Sequence, residues 1–528
     1  MSIVSEWSYL PSVIGEIFTD PMCLLILFGG VVLGFVIGVI PGLGPTMGMA
    51  LVLGIIYKMN TDHALALLLG ILVAAISSGG ITACLANIPG TAAAAATVVD
   101  GYPMSQKGQG REAIGYSLYS SIFACVVSMI IVFFIQPFVS TIALKFGNWE
   151  VFLFCVFGLI ICGSLVGKDI VRGWIAALLG VVLALVGSES IQSVQVLTFG
   201  SMNLYGGLNT TVAILGLFGL GEVFYTLRSR RSIKVTGQSG SPKVKIKVFL
   251  KNKLNIARSL LGGLWVGFIP GIGESAACWF AYDLAKKNSK HPEEFGHGSP
   301  EGVIAAETAN NSSTVGAMIP SLSLGIPGSA TTSVFIAALF LLGYRPGPTL
   351  LNDAPGILCR ITVLFVLAGC ILAVVGYFLS RFAIRLLTVN DNILMPFIVL
   401  ACVVGSYATT NTMFSLLVLL FFGIVGMLMK TFGYPIPPML LGLLVGSTMD
   451  QYLRRAMMQN ADDPLGMITK PLGLAIMAFL IVMIILSFKT SKNTTRSDAQ
   501  MEEINRVLAE ETAKAQAAKA SGGEGEAE

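Results

Sequence analysis

Gly38-Val-Ile-Pro41-Gly42-Leu-Gly44 and Gly267-Phe-Ile-Pro270-Gly271-Ile-Gly273 are two copies of one pattern, a proline–glycine break inside an apolar run. A second break lies beyond each copy: Asn87-Ile-Pro89-Gly90-Thr91 in the first case, Gly325-Ile-Pro327-Gly328-Ser329 in the other. The separations are similar, 48 residues from Pro41 to Pro89 and 57 from Pro270 to Pro327. Interrupted hydrophobic segments at corresponding places of two halves point to a membrane carrier whose binding site lies at the interruptions. The sequence therefore predicts an all-α polytopic membrane protein of about ten to twelve transmembrane segments, in two repeat halves with broken or re-entrant helices and inverted topology.

Composition agrees. Hydrophobic residues make up 54% of the 528-residue chain and charged residues only 12%, with a mean hydropathy of +0.79. Soluble domains carry roughly 25% charged residues, so an ordinary water-soluble protein is excluded. Runs such as Met22–Ile40, Ile122–Val139, Val151–Val166, Ile361–Leu379 and Leu472–Phe488 suit a ~30 Å hydrocarbon layer. The N-terminus holds Glu6, Glu16 and Asp20 without a basic cluster and does not resemble a cleaved signal peptide. Nine cysteines lie scattered through the apolar runs without a C-x-x-C, and the three histidines are isolated. Metal and redox cofactors therefore have no support, and the cysteines read as small packing residues.

Ten basic residues and no acidic one occupy 228–258, a density that places this segment in the cytoplasm. It divides the chain into a first membrane half, 1–227, and a second, 259–488, with one pair of breaks in each. A nucleic-acid or lipid-headgroup patch is the alternative for these charges, and no nucleic-acid partner is expected. Residues 489–528 form a polar cytoplasmic tail.

Each break removes a backbone donor and frees neighbouring polar groups, which must be buried in protein or line a wet cavity. The residues after each break can start a new helix, whose amides and positive dipole end attract a carboxylate. Candidate substrate-binding residues are accordingly Gly42, Gly44 and Thr46, Pro89, Gly90 and Thr91, Gly271, Gly273 and Ser275, and Pro327, Gly328 and Ser329. Simple kinks are the structural alternative. Valine at Gly90 or Gly328 is expected to deny the backbone angles it needs.

Small oxygen-bearing side chains precede each second break, with Ser77, Ser78 and Thr82 in one half and Asn310, Asn311, Ser312 and Thr314 in the other. They are hard ligands suited to Na⁺, or partners in interhelical hydrogen bonds. Glu307 lies one helical turn before Asn311 and completes the candidate cation site, as ligand or proton acceptor. Glu274 and Asp283 are weaker candidates. No Arg or Lys lies within 28–56, 65–99, 261–282 or 303–342, so an anion there must be held by amides, hydroxyls and a co-bound cation.

The sequence resembles the large membrane subunit of the bacterial tripartite tricarboxylate transporters. Carrying the resemblance are Pro41-Gly-Leu-Gly44, Asn87-Ile-Pro-Gly-Thr91 with Asp100-Gly-Tyr-Pro103, and Pro270-Gly-Ile-Gly273. The longest stretch is Glu301-Gly-Val-Ile-Ala-Ala-Glu307-Thr-Ala-Asn-Asn311, leading to Leu324-Gly-Ile-Pro-Gly-Ser329 and Gly343-Tyr-Arg-Pro-Gly-Pro348. It covers about 28–455. It implies a permease of the bacterial inner membrane, coupled to Na⁺ or H⁺. The permease would receive a di- or tricarboxylate or related organic anion from a periplasmic solute-binding protein and work with a small membrane subunit. Two positions depart from the pattern the resemblance implies: Gln195 stands where an arginine is expected, and Glu274 where a small residue is expected. An anion channel is the other transport reading. A membrane-embedded enzyme would need a His/Asp/Glu constellation that the sequence lacks.

Overall fold

The computed structural model describes residues 6–40, 43–165, 170–189, 191–228, 240–270, 273–387, 391–461, 469–471, 473–478, 480–482 and 484. Pro41, Gly42, Gly271, residues 229–239 of the connector and the tail lie outside them.

The protein is a helical membrane protein. Its main helices are α1 (Leu10–Thr19), α2 (Pro21–Val39), α3 (Gly44–Ile56), α4 (Thr61–Ala86), α5 (Ala95–Met104), α6 (Gly110–Ala143), α7 (Asn148–Leu165), α8 (Ile170–Ala184) and α9 (Thr210–Arg228). After the connector come α10 (Lys253–Phe268), α11 (Gly273–Asn288), α12 (Pro300–Gly316), α13 (Met318–Leu324), α14 (Ala330–Leu341), α15 (Ile357–Leu379), α16 (Asp391–Thr410), α17 (Phe414–Phe432) and α18 (Ile436–Gln459). Among the described residues six helices are long and apolar enough to cross a bilayer, namely α2, α4, α6, α9, α15 with its short extension to Leu387, and α17. Shorter apolar helices, among them α3, α8 and α14, are pieces set off by breaks and turns. The one small sheet among the described residues pairs Gly187–Ser188 with Gln195–Val196, so Gln195 sits in an exposed hairpin after α8.

Local sequence explains where the helices start. Asp20 accepts hydrogen bonds from the amides of Met22 and Cys23, and Pro21 occupies the first turn, where a missing N–H costs nothing. Asn60 caps α4 and Asn209 caps α9 in the same way. Ser329 and Thr332 form a reciprocal capping box at α14.

The two stretches around the breaks share a backbone. Helix α2 ends at Ile40 with φ −82° and ψ 115°, and α10 ends at Ile269 with φ −84° and ψ 113°. The next helix in each stretch opens on a left-handed glycine, Gly44 at φ 54° and Gly273 at φ 75°. Before the second break the chain turns through a left-handed residue again, Asn87 at φ 56° in one stretch and Gly325 at φ 70° in the other. We call these two units, α2–α4 and α10–α13, the arms.

Within each arm the first and third helices lie parallel, closer than side chains allow. A methyl on Gly30 or Gly34 would stand 2.8 Å or 2.6 Å from the carbonyl oxygens of Leu67 or Ile71. In the second arm the pairs are Gly263 on Ala309 and Gly267 on Ser313. Small residues four apart permit this contact, and dispersion over the seam holds it in a solvent that gives no hydrophobic drive. Between arms the direction reverses. Ser77 bonds to Asn311 while Gly80 packs on Glu307, so α4 and α12 run antiparallel and the arms enter from opposite ends. Both central helices are buried over almost their whole length.

Candidate functional site

Where α4 and α12 cross, polar side chains converge in an interior with no water-exposed wall. Glu307 is wholly buried. Its Oε1 accepts from Thr97 Oγ1 at 2.6 Å and its Oε2 from Ser121 Oγ at 2.9 Å. Ser117 Oγ and Asn310 Nδ2, also buried, face the same carboxyl group without closing a hydrogen bond. One turn on, Asn311 Nδ2 donates to the Glu307 carbonyl at 3.0 Å, and Asn311 Oδ1 accepts from Ser77 Oγ at 3.0 Å and Cys125 Sγ at 3.2 Å. The cluster thus draws on α4, α5, α6 and α12. Gly80 makes room for it, since any side chain there would strike Glu307 Oε1 and Ser117 Oγ.

Of the residues singled out as cation ligands, Ser77, Glu307, Asn310 and Asn311 come together here. The others serve elsewhere. Ser78 Oγ donates to the Phe35 carbonyl at 3.2 Å and Thr82 Oγ1 to that of Val39 at 2.7 Å, tying α4 to α2. Ser312 donates to Ala309, and Thr314 to Asn310, within α12.

A second cluster forms at the helix starts. Thr46 Oγ1 lies 3.2 Å from Thr331 Oγ1, joining the first turn of α3 to that of α14 across 285 residues. Glu274, in the first turn of α11, turns its carboxyl group to the hydroxyls of Ser329, Thr331 and Thr314, and its Oε1 is buried without a hydrogen bond. Thr314 stands on the same face of α12 as Glu307, seven residues or about 10 Å further along. Cys278 on α11 lies within electrostatic reach of both Glu274 and Glu307. The second break is near too: Ala93 and Ala96, just beyond Thr91, pack on Cys278 and Ala306.

The proposed substrate residues divide accordingly. Gly42 and Gly271 lie outside the described residues. Gly44 and Gly273 open their helices in left-handed geometry, with free space where a side chain would be. Ser275 is half-buried in the first turn of α11. Thr91 Oγ1 caps its own helical turn by accepting from the Ala94 amide at 3.2 Å, and Ser329 Oγ accepts from the Thr332 amide at 3.2 Å.

Gly90 and Gly328 are required for close approach rather than for unusual angles, and this corrects the sequence expectation. A methyl on Gly90 would lie 2.8 Å from the carbonyl oxygens of Gly38 and Gly79, and one on Gly328 2.7 Å from Ala317 Cβ. The Gly90 amide donates to the Gly79 carbonyl at 3.3 Å, so the segment around Pro89 and Gly90 folds back onto α4. In the other arm the Gly328 amide, beside buried Pro327, donates to Ser321 Oγ at 3.3 Å.

Four residues of the site, Thr97, Ser117, Ser121 and Cys125, are absent from the sequence-based candidates. The last three are spaced by four on α6, a small polar stripe on one helical face, and that spacing is the signal that marks them. Asp100 stands in the sequence only as part of a motif. It fastens the turn before α12, with Oδ1 accepting from the amides of Gly296, Gly298 and Ser299 at 2.8–2.9 Å and Oδ2 from the Tyr282 hydroxyl at 2.8 Å.

Neither Glu307 nor Glu274 has a cationic partner among the described residues, and none of these residues forms a group of three His, Cys, Asp or Glu able to hold a transition metal. A wholly buried carboxyl group, Glu307, and a half-buried one, Glu274, each beside hydroxyl groups, can take a proton or a hard monovalent cation.

The sequence matches the profile of the tripartite tricarboxylate transporter TctA family over residues 24–441. It is 31% identical over 493 residues to an Agrobacterium vitis protein described as "Uncharacterized 52.8 kDa protein in TAR-I ttuC' 3'region", covering 92% of this chain and 97% of that one. A second protein of that organism, "Uncharacterized protein in TAR-II ttuC' 3'region", is 30% identical over 241 residues, which are 46% of this chain and all of that one. No solved structure matches.

Proposed function

The chain belongs to the tripartite tricarboxylate transporter TctA family, and from that premise we propose a cation-coupled permease that carries a di- or tricarboxylate, or a related organic anion, into the cell. It is a transport component, and its coupling to Na⁺ or H⁺ is our inference. The observation that carries it is a wholly buried carboxyl group, Glu307, at the seam of two oppositely directed arms. A second, half-buried one, Glu274, lies in the first turn of α11, and no positive residue is bonded to either among the described residues. A charge so placed is unfavourable until a proton or metal cation neutralises it.

In this reading Glu307, Asn311, Ser77 and Asn310 hold the cation, Asn310 offering its amide oxygen if the group is turned over. The substrate carboxylate sits at the starts of α3, α11 and α14, among Thr46, Ser275 and Ser329. There it faces Glu274, so anion and cation bind together or poorly, and each raises the affinity for the other. Substrate would arrive from a periplasmic solute-binding protein, with the small membrane subunit beside this one in the inner membrane.

The test is Glu307→Gln in vesicles containing all three components. Uptake should lose most of its dependence on Na⁺ or on pH while the protein still reaches the membrane. Wild-type cation dependence in the variant would exclude this role.

A further inference from the structure

A cavity of about 970 Å³ is walled by the ends of α6 and α14, the start of α9, the loop 345–349 and one side of α18 from Leu443 to Arg455. Two exposed arginines, Arg345 and Arg455, line it, and no Asp or Glu does. Neither arginine is paired with a carboxylate among the described residues. Thr210, Thr211, Ser447 and Thr448 line the same cavity. Thr210 and Thr211 form the first turn of the 19-residue helix α9, whose Val212 amide is capped by the Asn209 side chain.

The contrast with a neighbouring cavity is instructive. That one, of about 440 Å³, contains Arg360 together with Asp62 and Asp353, and Arg360 is bonded to both Asp62 and Glu16. Its arginine is already neutralised, whereas the charge of Arg345 and Arg455 is available.

Several crossings place the larger cavity opposite the basic connector. Helix α9 leads into the connector at Arg228, so Thr210 lies about 28 Å away at the other face. Arg111, at the start of α6, bonds to Ser241 of the connector, and the end of α6 lines the cavity. Lys430 pairs with Glu222 near the connector end of α9, so α17 ends on that side and α18 crosses back to bring Arg455 to the cavity. By the positive-inside rule the cavity opens to the periplasm.

It also leads inward. The Gly347 amide donates to the Leu322 carbonyl at 3.0 Å, and the Pro346 carbonyl covers Gly325, so the arginine-bearing loop rests on the turn before Pro327. Helix α14 contributes Ala337 and Leu341 to the cavity and begins at Ser329, roughly 18 Å deeper.

We propose that this cavity is an outer receiving site for an anion bearing two or more carboxylates, which Arg345 and Arg455 bind before it moves to the helix starts. The proposal rests on the carrier function above and adds a site to it. Arginine suits the task because its fork binds a carboxylate through two parallel hydrogen bonds, and two arginines with no acid nearby select for more than one carboxylate. A site with fixed positive charge on the water side needs no cation, unlike the one at the breaks.

The experiment measures binding of labelled citrate, succinate and benzoate to the purified full chain in detergent, without the binding protein and without Na⁺. Citrate and succinate should bind more tightly than benzoate. Arg345→Gln with Arg455→Gln should weaken citrate at least about tenfold, with Arg345→Lys keeping part of the affinity. Uptake by the double variant should show a raised KM with little change in kcat. Equal citrate binding in wild type and double variant, or no binding above a matched chloride control, overturns the proposal. So does unchanged citrate binding with impaired uptake, which would mean that the arginines contact the binding protein. If citrate binds as proposed but uptake ignores cation gradients, the coupled-carrier reading falls and the receiving site stands.

Discussion

The two arms have nearly the same backbone and very different side chains. Equivalent positions are 229 residues apart around the first break and 238 around the second. On that register Glu307, Asn310 and Asn311 correspond to Leu69, Leu72 and Val73, and Glu274 corresponds to Pro45. Glycine seams, left-handed turns and breaks recur in both arms, while the wholly buried Glu307 and the half-buried Glu274, neither with a basic partner among the described residues, occur in the second alone. Asp62 of the first arm is paired with Arg360. The shared part is what a chain needs to bend and pack in a membrane. The unshared part is the chemistry. The first arm answers it with hydroxyls, Ser77 toward Asn311 and Thr46 toward Thr331.

If the frame is common, breaking it in either arm should do equal damage, and this is the largest effect expected. Gly34→Val and Gly263→Val force atoms into the carbonyls of Ile71 and Ala309 and should each destabilise by at least about 1–3 kcal/mol. Thermal unfolding in detergent and the amount of protein in the membrane report it. Wild-type stability in one variant and collapse in the other would mean that the seams are not equivalent.

Chemistry should be one-sided. Glu307→Gln should weaken the apparent cation affinity by about tenfold or more, a change of about 1.4 kcal/mol. Leu69→Met, at the matching position, should leave cation dependence as it is, because a volume-conserving apolar exchange disturbs only packing. Uptake measured against Na⁺ concentration and against pH separates the two.

The glycines at the breaks divide close approach from backbone angle. Gly90→Ala should impair transport although alanine can adopt the backbone angles, since its methyl meets two carbonyl oxygens at 2.8 Å. Gly44→Ala meets open space but a left-handed backbone, at a cost of about 1–2 kcal/mol. Smallest should be the hydroxyls. Thr46→Ala or Thr331→Ala removes one interhelical contact, worth on average about 0.6 kcal/mol in a membrane, so KM should rise two- to threefold.

Much of this frame is legible in the sequence because proline and glycine restrict the backbone locally. Pro-Gly pairs mark where a helix cannot continue, whatever surrounds it. The association of Glu307 with Asn311 is legible for a similar reason, one turn of helix setting the distance. Hidden from the sequence is whatever depends on how helices cross. The polar groups before the second breaks read as matching sets, yet Ser77 and Asn311 are out of register between the arms and meet because α4 and α12 run antiparallel. Thr97, Ser117 and Ser121 reach Glu307 from two further helices, a contact between residues some 190 to 210 apart that no local pattern announces. Glu274 reads as a departure from the family pattern, and its place among Thr314, Ser329 and Thr331 depends on how the starts of α11 and α14 meet the end of α12. Gly90 reads as an angle requirement because the sequence does not reveal the α2 and α4 carbonyls beside it.

Whether buried carboxyl groups without a basic partner make anion transport depend on a cation can be decided in proteoliposomes. These would contain the permease and the small subunit, with the substrate-loaded binding protein outside. Labelled citrate or succinate uptake is followed under an imposed inward Na⁺ gradient, an inward proton gradient, or neither. Accumulation is expected under at least one gradient, with near-background uptake under neither and loss of the gradient effect in Glu307→Gln. Equal uptake under all three conditions would contradict cation coupling.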